Sequence, residues 1–132
     1  MKSEIHASRW DAGASSDVPE RGRLVVDADG LIVGIFRIDG ELHAYENRCA
    51  HMRGPVCQGL IVSRVVEIID ASKAIIGSCF DDREPHIVCP WHGAEFSIRT
   101  GRHAGHSSMK LRTVPVEEYD GRIYLTLRTS NR

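Results

Sequence analysis

Residues 89–94 read CPWHGA, and residues 49–55 read CAHMRGP. Each stretch follows a strand-like segment and places a histidine two or three positions after a cysteine. Thiolate sulfur and imidazole nitrogen are ligands for zinc and for iron in proteins, and the glycine in each stretch allows the backbone to turn tightly. The two stretches therefore predict two loops at strand ends that together supply four metal ligands: Cys49, His51, Cys89 and His92.

The order of these ligands along the chain bears on which metal they hold. A zinc site with two cysteines and two histidines usually pairs cysteine with cysteine and histidine with histidine, with the histidine pair on a helix. Here each loop carries one ligand of each kind, and the segment after His92 is typical of a strand. A mixed pair on each loop fits a two-iron cluster in which the cysteines bind one iron and the histidines the other. A structural zinc site remains the alternative.

Short segments rich in β-branched and aromatic residues alternate with Asp-Gly turns along most of the chain. The pairs at 29–30, 39–40 and 120–121 are typical of tight turns between antiparallel strands. They predict strands at 24–27, 31–38 and 41–46, and a hairpin formed by 111–119 and 122–127. The alternation along 35–38 indicates a strand with one buried face. The sequence therefore predicts an all-β domain.

The remaining segments carry weaker signals. Residues 62–69 and 74–79 predict two strands around a turn, although 62–69 also fits a helix. We expect a loose loop at 13–17 and a solvated loop at 81–84, for which a docking patch for a basic protein surface is the alternative. Cys57 and Cys79 are expected to be small buried residues, with a disulfide between them as the alternative. His103 and His106 are expected to be exposed loop residues, with a minor role near the cluster face as the alternative.

Composition narrows the classes of function. The 132 residues include 17 basic and 18 acidic side chains, a formal net charge of -1. This balance gives no electrostatic footprint for nucleic acid, and no window approaches the roughly 18 apolar residues of a membrane span. Neither a nucleic-acid partner nor a membrane partner is expected, and the cytoplasm is the default location. There, cysteines serve metals more often than disulfides.

The two ligand stretches, taken with their flanks, resemble a known family. Residues 49–59 and 89–101 are similar to the two cluster loops of Rieske ferredoxins, and the hairpins between 24 and 127 match the frame of that family. The resemblance implies a fold of small antiparallel sheets with both cluster loops at one end. It also implies one 2Fe-2S cluster held by the four ligands above, in a single domain over 1–132.

The chain departs from the family in the length between its two loops. His51 and Cys89 are separated by 37 residues, more than is typical of the family. We expect the extra length, at about 60–86, to form a hairpin inserted between the cluster loops. The ligand assignment is unaffected because both loops are intact, but the geometry of docking with a partner is open.

The resemblance also carries an expectation about redox potential. High-potential members have a serine and a tyrosine where this chain has Ala94 and Phe96, and a disulfide where it has Gly54 and Trp91. Neither Ala94 nor Phe96 can donate a hydrogen bond to sulfur. The potential is therefore expected toward the low end of the Rieske range, nearer about -150 mV than +300 mV.

The resemblance implies a function as a one-electron carrier, with no catalytic residues of its own. By family analogy its partners are a flavin-dependent reductase and a terminal oxygenase. The alternative is a tightly bound small subunit of an oxidoreductase, such as a nitrite-reductase-like complex. A catalytic oxygenase would need a second, mononuclear iron site in a much larger chain, so this interpretation is rejected.

Overall fold

A computed structural model describes residues 4–48, 54–69, 75–91, 93–105 and 109–131. Within these ranges all regular structure is strand, apart from two short 3-10 turns at Ser15–Asp17 and Val56–Gln58. The described part of the chain holds no helix with the length and hydropathy to cross a membrane. The strands are β1 (Glu4–Ala14), β2 (Arg23–Ala28), β3 (Leu31–Ile38), β4 (Glu41–Glu46), β5 (Leu60–Ile69), β6 (Ile75–Val88), β7 (Glu95–Ser97), β8 (Val116–Tyr119) and β9 (Arg122–Asn131). The prediction of an all-β fold is confirmed.

The strands form three antiparallel sheets of three strands each, in the orders β1-β9-β8, β2-β3-β4 and β5-β6-β7. The Asp-Gly turns join β2 to β3, β3 to β4, and β8 to β9. In each turn both residues have positive φ, for example 55° at Asp29 and 93° at Gly30. Such turns match the right-handed twist of the strands they join, which explains why these three hairpins could be predicted.

Two hydrophobic cores lie on opposite faces of the β2-β3-β4 sheet. Val33 and Ile35 pack into one core, while Phe36 and Ile38 pack into the other, together with Cys89. Side chains of a strand alternate between its two faces, so β3 buries both. The prediction of one buried face for this strand is therefore wrong, because sheets from distant parts of the chain cover the second face.

The first strand, β1, has no counterpart among the strands that the sequence predicts. Residues 13–17 are not a loose loop: Gly13 and Ala14 end β1, which pairs with β9 from Glu4↔Asn131 to Ala14↔Arg122 with a register shift between Asp11 and Gly13. The backbone groups of β1 are satisfied by a strand at the far end of the chain. That pairing has no signature in the composition of residues 4–14.

The long segment between the ligand loops forms a hairpin of β5 and β6. Its base is part of a sheet, since His86–Val88 also pair with Glu95–Ser97 of β7. Farther out, β6 pairs with β5 alone, from Arg64↔Asp81 to Ile69↔Ile75. Residues 81–84 lie within β6, so the loop expected there is wrong. Residues 82–84 face no residue of β5, and the register shift between Ser63 and Arg64 accommodates them as a bulge. Strand rather than helix is confirmed for 62–69.

Candidate metal centre

One of the four predicted ligands is described by the structure. Cys89 follows the last residue of β6 and is 1% exposed, within the core beneath the loops. Cys49, His51 and His92 lie outside the described residues, and their assignment remains a prediction.

The second ligand loop is a tight hairpin turn between β6 and β7. The Cys89 N–H donates to the Ala94 carbonyl at 2.7 Å, and the Gly93 N–H donates to the Cys89 carbonyl at 3.0 Å. Gly93 has φ of +70°, a conformation that a residue with a Cβ adopts rarely. The ladder of β6 and β7 therefore continues to Cys89 and places its side chain in the core at the end of the sheet.

The two loops touch through glycines. A Cβ added to Gly54 would lie 3.1 Å from the Cys89 Sγ and 2.8 Å from two ring carbons of Trp91. A Cβ added to Gly59 would lie 1.8 Å from the Val88 carbonyl oxygen. The backbone that follows the first ligand stretch thus lies directly against the second ligand loop, and the Cys89 sulfur lies at the contact. This approach fits a group shared by both loops, and the predicted donor set of two thiols and two imidazoles fits an iron–sulfur cluster.

Cys57 packs at the end of the first loop and is not placed as a ligand. Its thiol fills the space above Gly34, where an added Cβ would come within 2.5 Å of the Cys57 Sγ. Burial raises the pKa of the Cys57 thiol to about 12, and its Sγ lies 3.6 Å from the Tyr45 carbonyl oxygen. Packed against Gly34 and the Tyr45 carbonyl, this free thiol is the small buried residue that the sequence predicted. The side chain of Cys79 lies outside the description.

Two side-chain contacts between polar residues lie at the base of the second loop. His86 is 5% exposed and its Nδ1 lies 2.5 Å from the Glu95 Oε1. Beside this pair the Ser97 hydroxyl donates to the Glu84 Oε1 at 2.7 Å. Both contacts link β6 to β7. No pattern in the sequence points to these contacts, because the residues come together only when the two strands pair.

His103 is not the exposed loop residue that was expected. It is partly buried, and its ring meets the Phe96 ring at 87° with the centroids 5.2 Å apart. Its Nδ1 accepts a hydrogen bond of 2.9 Å from the Gly105 N–H. His106 lies outside the described residues. His103 therefore packs behind the second loop, where sequence alone indicated solvent.

The residues expected to lower the potential lie in the core that contains Cys89. Phe96 is fully buried and Ala94 is 9% exposed, both in the same core as Cys89. Their side chains carry no hydrogen-bond donor. On the outer side, Trp91 and Leu60 are 59% and 71% exposed. Cys89 therefore lies in an apolar core. Near the loops, the apolar side chains of Trp91 and Leu60 are exposed to solvent.

Comparisons with known proteins agree with this geometry. The family model of the Rieske [2Fe-2S] domain matches residues 8–118. The ferredoxin component of the naphthalene 1,2-dioxygenase system of Pseudomonas aeruginosa is 25% identical over 121 residues, which cover 90% of this chain and 96% of that protein.

Two solved structures share the fold. A putative NADH-dependent nitrite reductase small subunit from Mycobacterium tuberculosis superposes with a TM-score of 0.67 at 17% identity, covering 92% of this chain and 96% of that one. A chain from the complex of reduced oxygenase and oxidized ferredoxin in carbazole 1,9a-dioxygenase superposes with a TM-score of 0.63 at 22% identity, covering 89% and 91%. The family match spans most of the chain, and the fold and the contact between the two loops agree with it: this protein belongs to the Rieske [2Fe-2S] domain family.

Proposed function

We propose that this protein is a Rieske ferredoxin, which carries single electrons from a reductase to a terminal oxygenase or a similar oxidoreductase. The observation that carries the proposal is the contact between the two loops, where Gly54 lies against the Cys89 sulfur and the Trp91 ring. Two loops that meet at a buried thiol, in a chain of this family, provide a site for one cluster shared between them.

The proposed ligands are Cys49, His51, Cys89 and His92, and the proposed cofactor is one 2Fe-2S cluster. When bound, the cluster supplies a one-electron redox couple. The chain contributes position and environment: the β6–β7 turn orients Cys89, and burial of Cys89 and Phe96 excludes water from the inner side. Because Ala94 and Phe96 offer no donor to sulfur, the potential is proposed to lie near the low end of the Rieske range, about -150 mV.

The proposed partners are redox proteins, namely a flavin-dependent reductase and a terminal oxygenase. Support comes from the relatives, one of which is a component of a dioxygenase system and another of which forms a complex with an oxygenase. The exposed Trp91 and Leu60 near the loops are typical of the apolar centre of a docking surface. A carrier of this type has no catalytic residues of its own, and the cytoplasm is the proposed location. The free, buried Cys57 thiol is compatible with a reducing compartment.

The whole chain, 1–132, is proposed to be one Rieske domain with an insertion at about 60–86. Support comes from the β5–β6 hairpin, whose base joins β7 while its outer part pairs only with itself among the described residues. The insertion starts one residue after Gly59, so it emerges beside the proposed cluster.

A tightly bound small subunit of a nitrite-reductase-like complex is the second candidate. The likeness to a nitrite reductase small subunit favours it, although at 17% identity that likeness concerns the fold alone. The apparent mass of the protein in native extract separates the two: a carrier elutes near its own 14.7 kDa, whereas a subunit elutes with a large complex.

Low-temperature EPR of the dithionite-reduced protein tests the proposed function, with iron and acid-labile sulfide assayed on the same sample. We expect two irons per chain and a rhombic signal whose average g lies below that of all-cysteine clusters. A redox titration of the same signal is expected to give a midpoint below zero. A colourless protein that carries zinc would mean a structural module and would overturn the electron-transfer proposal.

A further inference from the structure

Two side chains that belong to no predicted ligand stretch converge on the end of the first loop. Arg23 is the first residue of β2, and its Nη1 donates to the Cys57 carbonyl at 3.0 Å and also to the Gly59 carbonyl. Asn47 follows β4, and its Oδ1 accepts a hydrogen bond of 2.8 Å from the Cys57 N–H. Cys57 is thus held through both of its backbone polar groups, one by each side chain.

Asn47 also closes the loop that carries two predicted ligands. Its own N–H donates to the Ile32 carbonyl at 2.8 Å, which ties it to β3. Its Nδ2 donates to the Gln58 Oε1 at 3.4 Å. The chain leaves the β2-β3-β4 sheet at Asn47 and is bound to Asn47 again at Cys57, ten residues later. The start and the end of the first ligand loop are therefore linked by one amide side chain.

The position of this loop end determines how the two ligand loops meet. Gly59 lies against the Val88 carbonyl, one residue before Cys89, and Gly54 lies against the Cys89 sulfur. A shift of the 3-10 turn at Val56–Gln58 would move Gly54 and Gly59 relative to Cys89. Arg23 and Asn47 hold that turn in place, and both extend from the sheet against which it packs.

Arginine suits this role for a geometric reason. Its guanidinium is planar, so the two N–H groups of Nη1 point in fixed directions, and here this one nitrogen reaches two carbonyls that lie two residues apart in sequence. Lysine carries the same charge but as a compact group on a flexible stem. Arg23→Lys therefore keeps the positive charge beside the turn but alters the hydrogen bonds that position the turn, so the two effects can be told apart.

We infer that Arg23 and Asn47 are positioning residues for the proposed cluster: by holding Cys57 and Gly59 they set the separation of the two ligand loops, and through it the redox potential and the lifetime of the cluster. The inference rests on the proposed function, since it concerns the group that the loops are proposed to share. Neither side chain is assigned as a ligand.

The test compares Arg23→Met, Arg23→Lys and Asn47→Ala with the unaltered protein and with Arg122→Met. Arg122 is a matched control because it forms an exposed ion pair with Asp11 on the β1-β9-β8 sheet, outside both loops. For each reduced protein the g-values and linewidth are recorded, the midpoint potential is titrated, and the loss of cluster absorbance in the presence of a chelator is timed. Backbone amide exchange at Cys57 reports directly on the Asn47 contact.

We expect Arg23→Met and Asn47→Ala to broaden the EPR signal, to shift the midpoint and to shorten the lifetime at least fivefold. Arg23→Lys should change the same properties by a smaller amount than Arg23→Met, and Arg122→Met should leave them unchanged. A midpoint potential that shifts in Arg23→Met but not in Arg23→Lys or Asn47→Ala would indicate a charge effect and overturn the inference. So would signals and lifetimes equal to the control in all variants, even if the melting temperature fell.

The two failures are distinguishable. An unaltered protein without iron or a rhombic signal would refute the proposed function and, with it, this role. A normal unaltered protein with unaffected variants would refute the inference alone. If Arg23→Met does not fold, Asn47→Ala and Arg23→Lys still decide, because each keeps more of the original contacts.

Discussion

The second ligand loop is held by the backbone of a single hairpin, whereas the first is held by side chains from another sheet. Cys89 and Ala94, five residues apart, are joined by an N–H to carbonyl bond at the end of the β6–β7 ladder. Arg23, in contrast, binds carbonyls 34 and 36 residues away in the chain. One loop is thus positioned by local structure and the other by the tertiary fold. Substitutions in the two loops should therefore differ in their effects on the cluster and on the stability of the fold.

The largest effect is expected at Cys89, and Cys57, whose side chain the structure also describes, is its comparison. Cys89→Ala should abolish the cluster, because it removes a proposed ligand. Cys57→Ala should keep two irons per chain and lower the free energy of unfolding by about 1–2 kcal/mol, since only buried packing is lost. Iron content and chemical denaturation measure both outcomes. A cluster that survives in Cys89→Ala would refute the ligand assignment.

The contact between the loops should be the next most sensitive point. The methyl group introduced by Gly59→Ala would overlap the Val88 carbonyl, which is backbone and cannot rotate away, so this change should lower the free energy of unfolding by about 3 kcal/mol. It should also shorten the lifetime of the cluster. Gly30→Ala is the control, because its turn has open space and φ of +93°. There we expect about 1–2 kcal/mol of backbone strain and an unchanged cluster. Equal effects on cluster lifetime would contradict the importance of the contact.

The environment of the second loop should tune the potential. Phe96→Tyr adds a hydroxyl to the core that contains Cys89. If this hydroxyl donates to a cluster or cysteine sulfur, it is expected to raise the midpoint potential by about 60–90 mV. That range corresponds to a hydrogen bond to a charged group of about 1.5–2 kcal/mol, at 59 mV per tenfold change for one electron. The control is Ile98→Val, a change of one methyl group in the same core. A midpoint that does not rise in Phe96→Tyr would mean that the new hydroxyl finds another acceptor.

The smallest effect is expected between the β2-β3-β4 and β1-β9-β8 sheets, where Arg37 of β3 holds Glu118 of β8 through two hydrogen bonds of 2.8 and 2.9 Å. Donation by the Arg37 guanidinium keeps the pKa of the Glu118 carboxyl below its usual value. The stability that this provides is present above the usual pKa of glutamate and is lost as the pH falls through the lowered one.

Glu118→Gln should therefore cost about 0.5–1 kcal/mol at pH 7 and nothing at a pH below both values. Denaturation curves across that range measure it. Glu117→Gln is the comparison, since the pair of Glu117 with Arg9 is more than half exposed on both sides and should contribute less. A cost for Glu118→Gln that is independent of pH would show that the charge is not its source.

Strands with a local signature could be predicted from the sequence. The Asp-Gly turns and the β-branched segments between them located both bounds of β3 and β4, and the bounds of β2 within one residue. β1 and the part of β6 over residues 81–84 were not located. Their composition is ordinary for loops. β1 is a strand because β9 supplies partners for its backbone groups, whereas residues 82–84 of β6 face no residue of β5 and lie at the irregularity between Ser63 and Arg64.

The same division runs through the candidate site. Sequence by itself determined the family and led to the prediction of the four ligands, because cysteine and histidine at short spacings are typical of metal-binding loops. The tertiary structure alone decided what holds the first loop against the second: Arg23, Asn47 and the close approach at Gly59. Arginine and asparagine have many uses in a protein, so their identity carries no signal until the fold brings them to a backbone group that needs a partner.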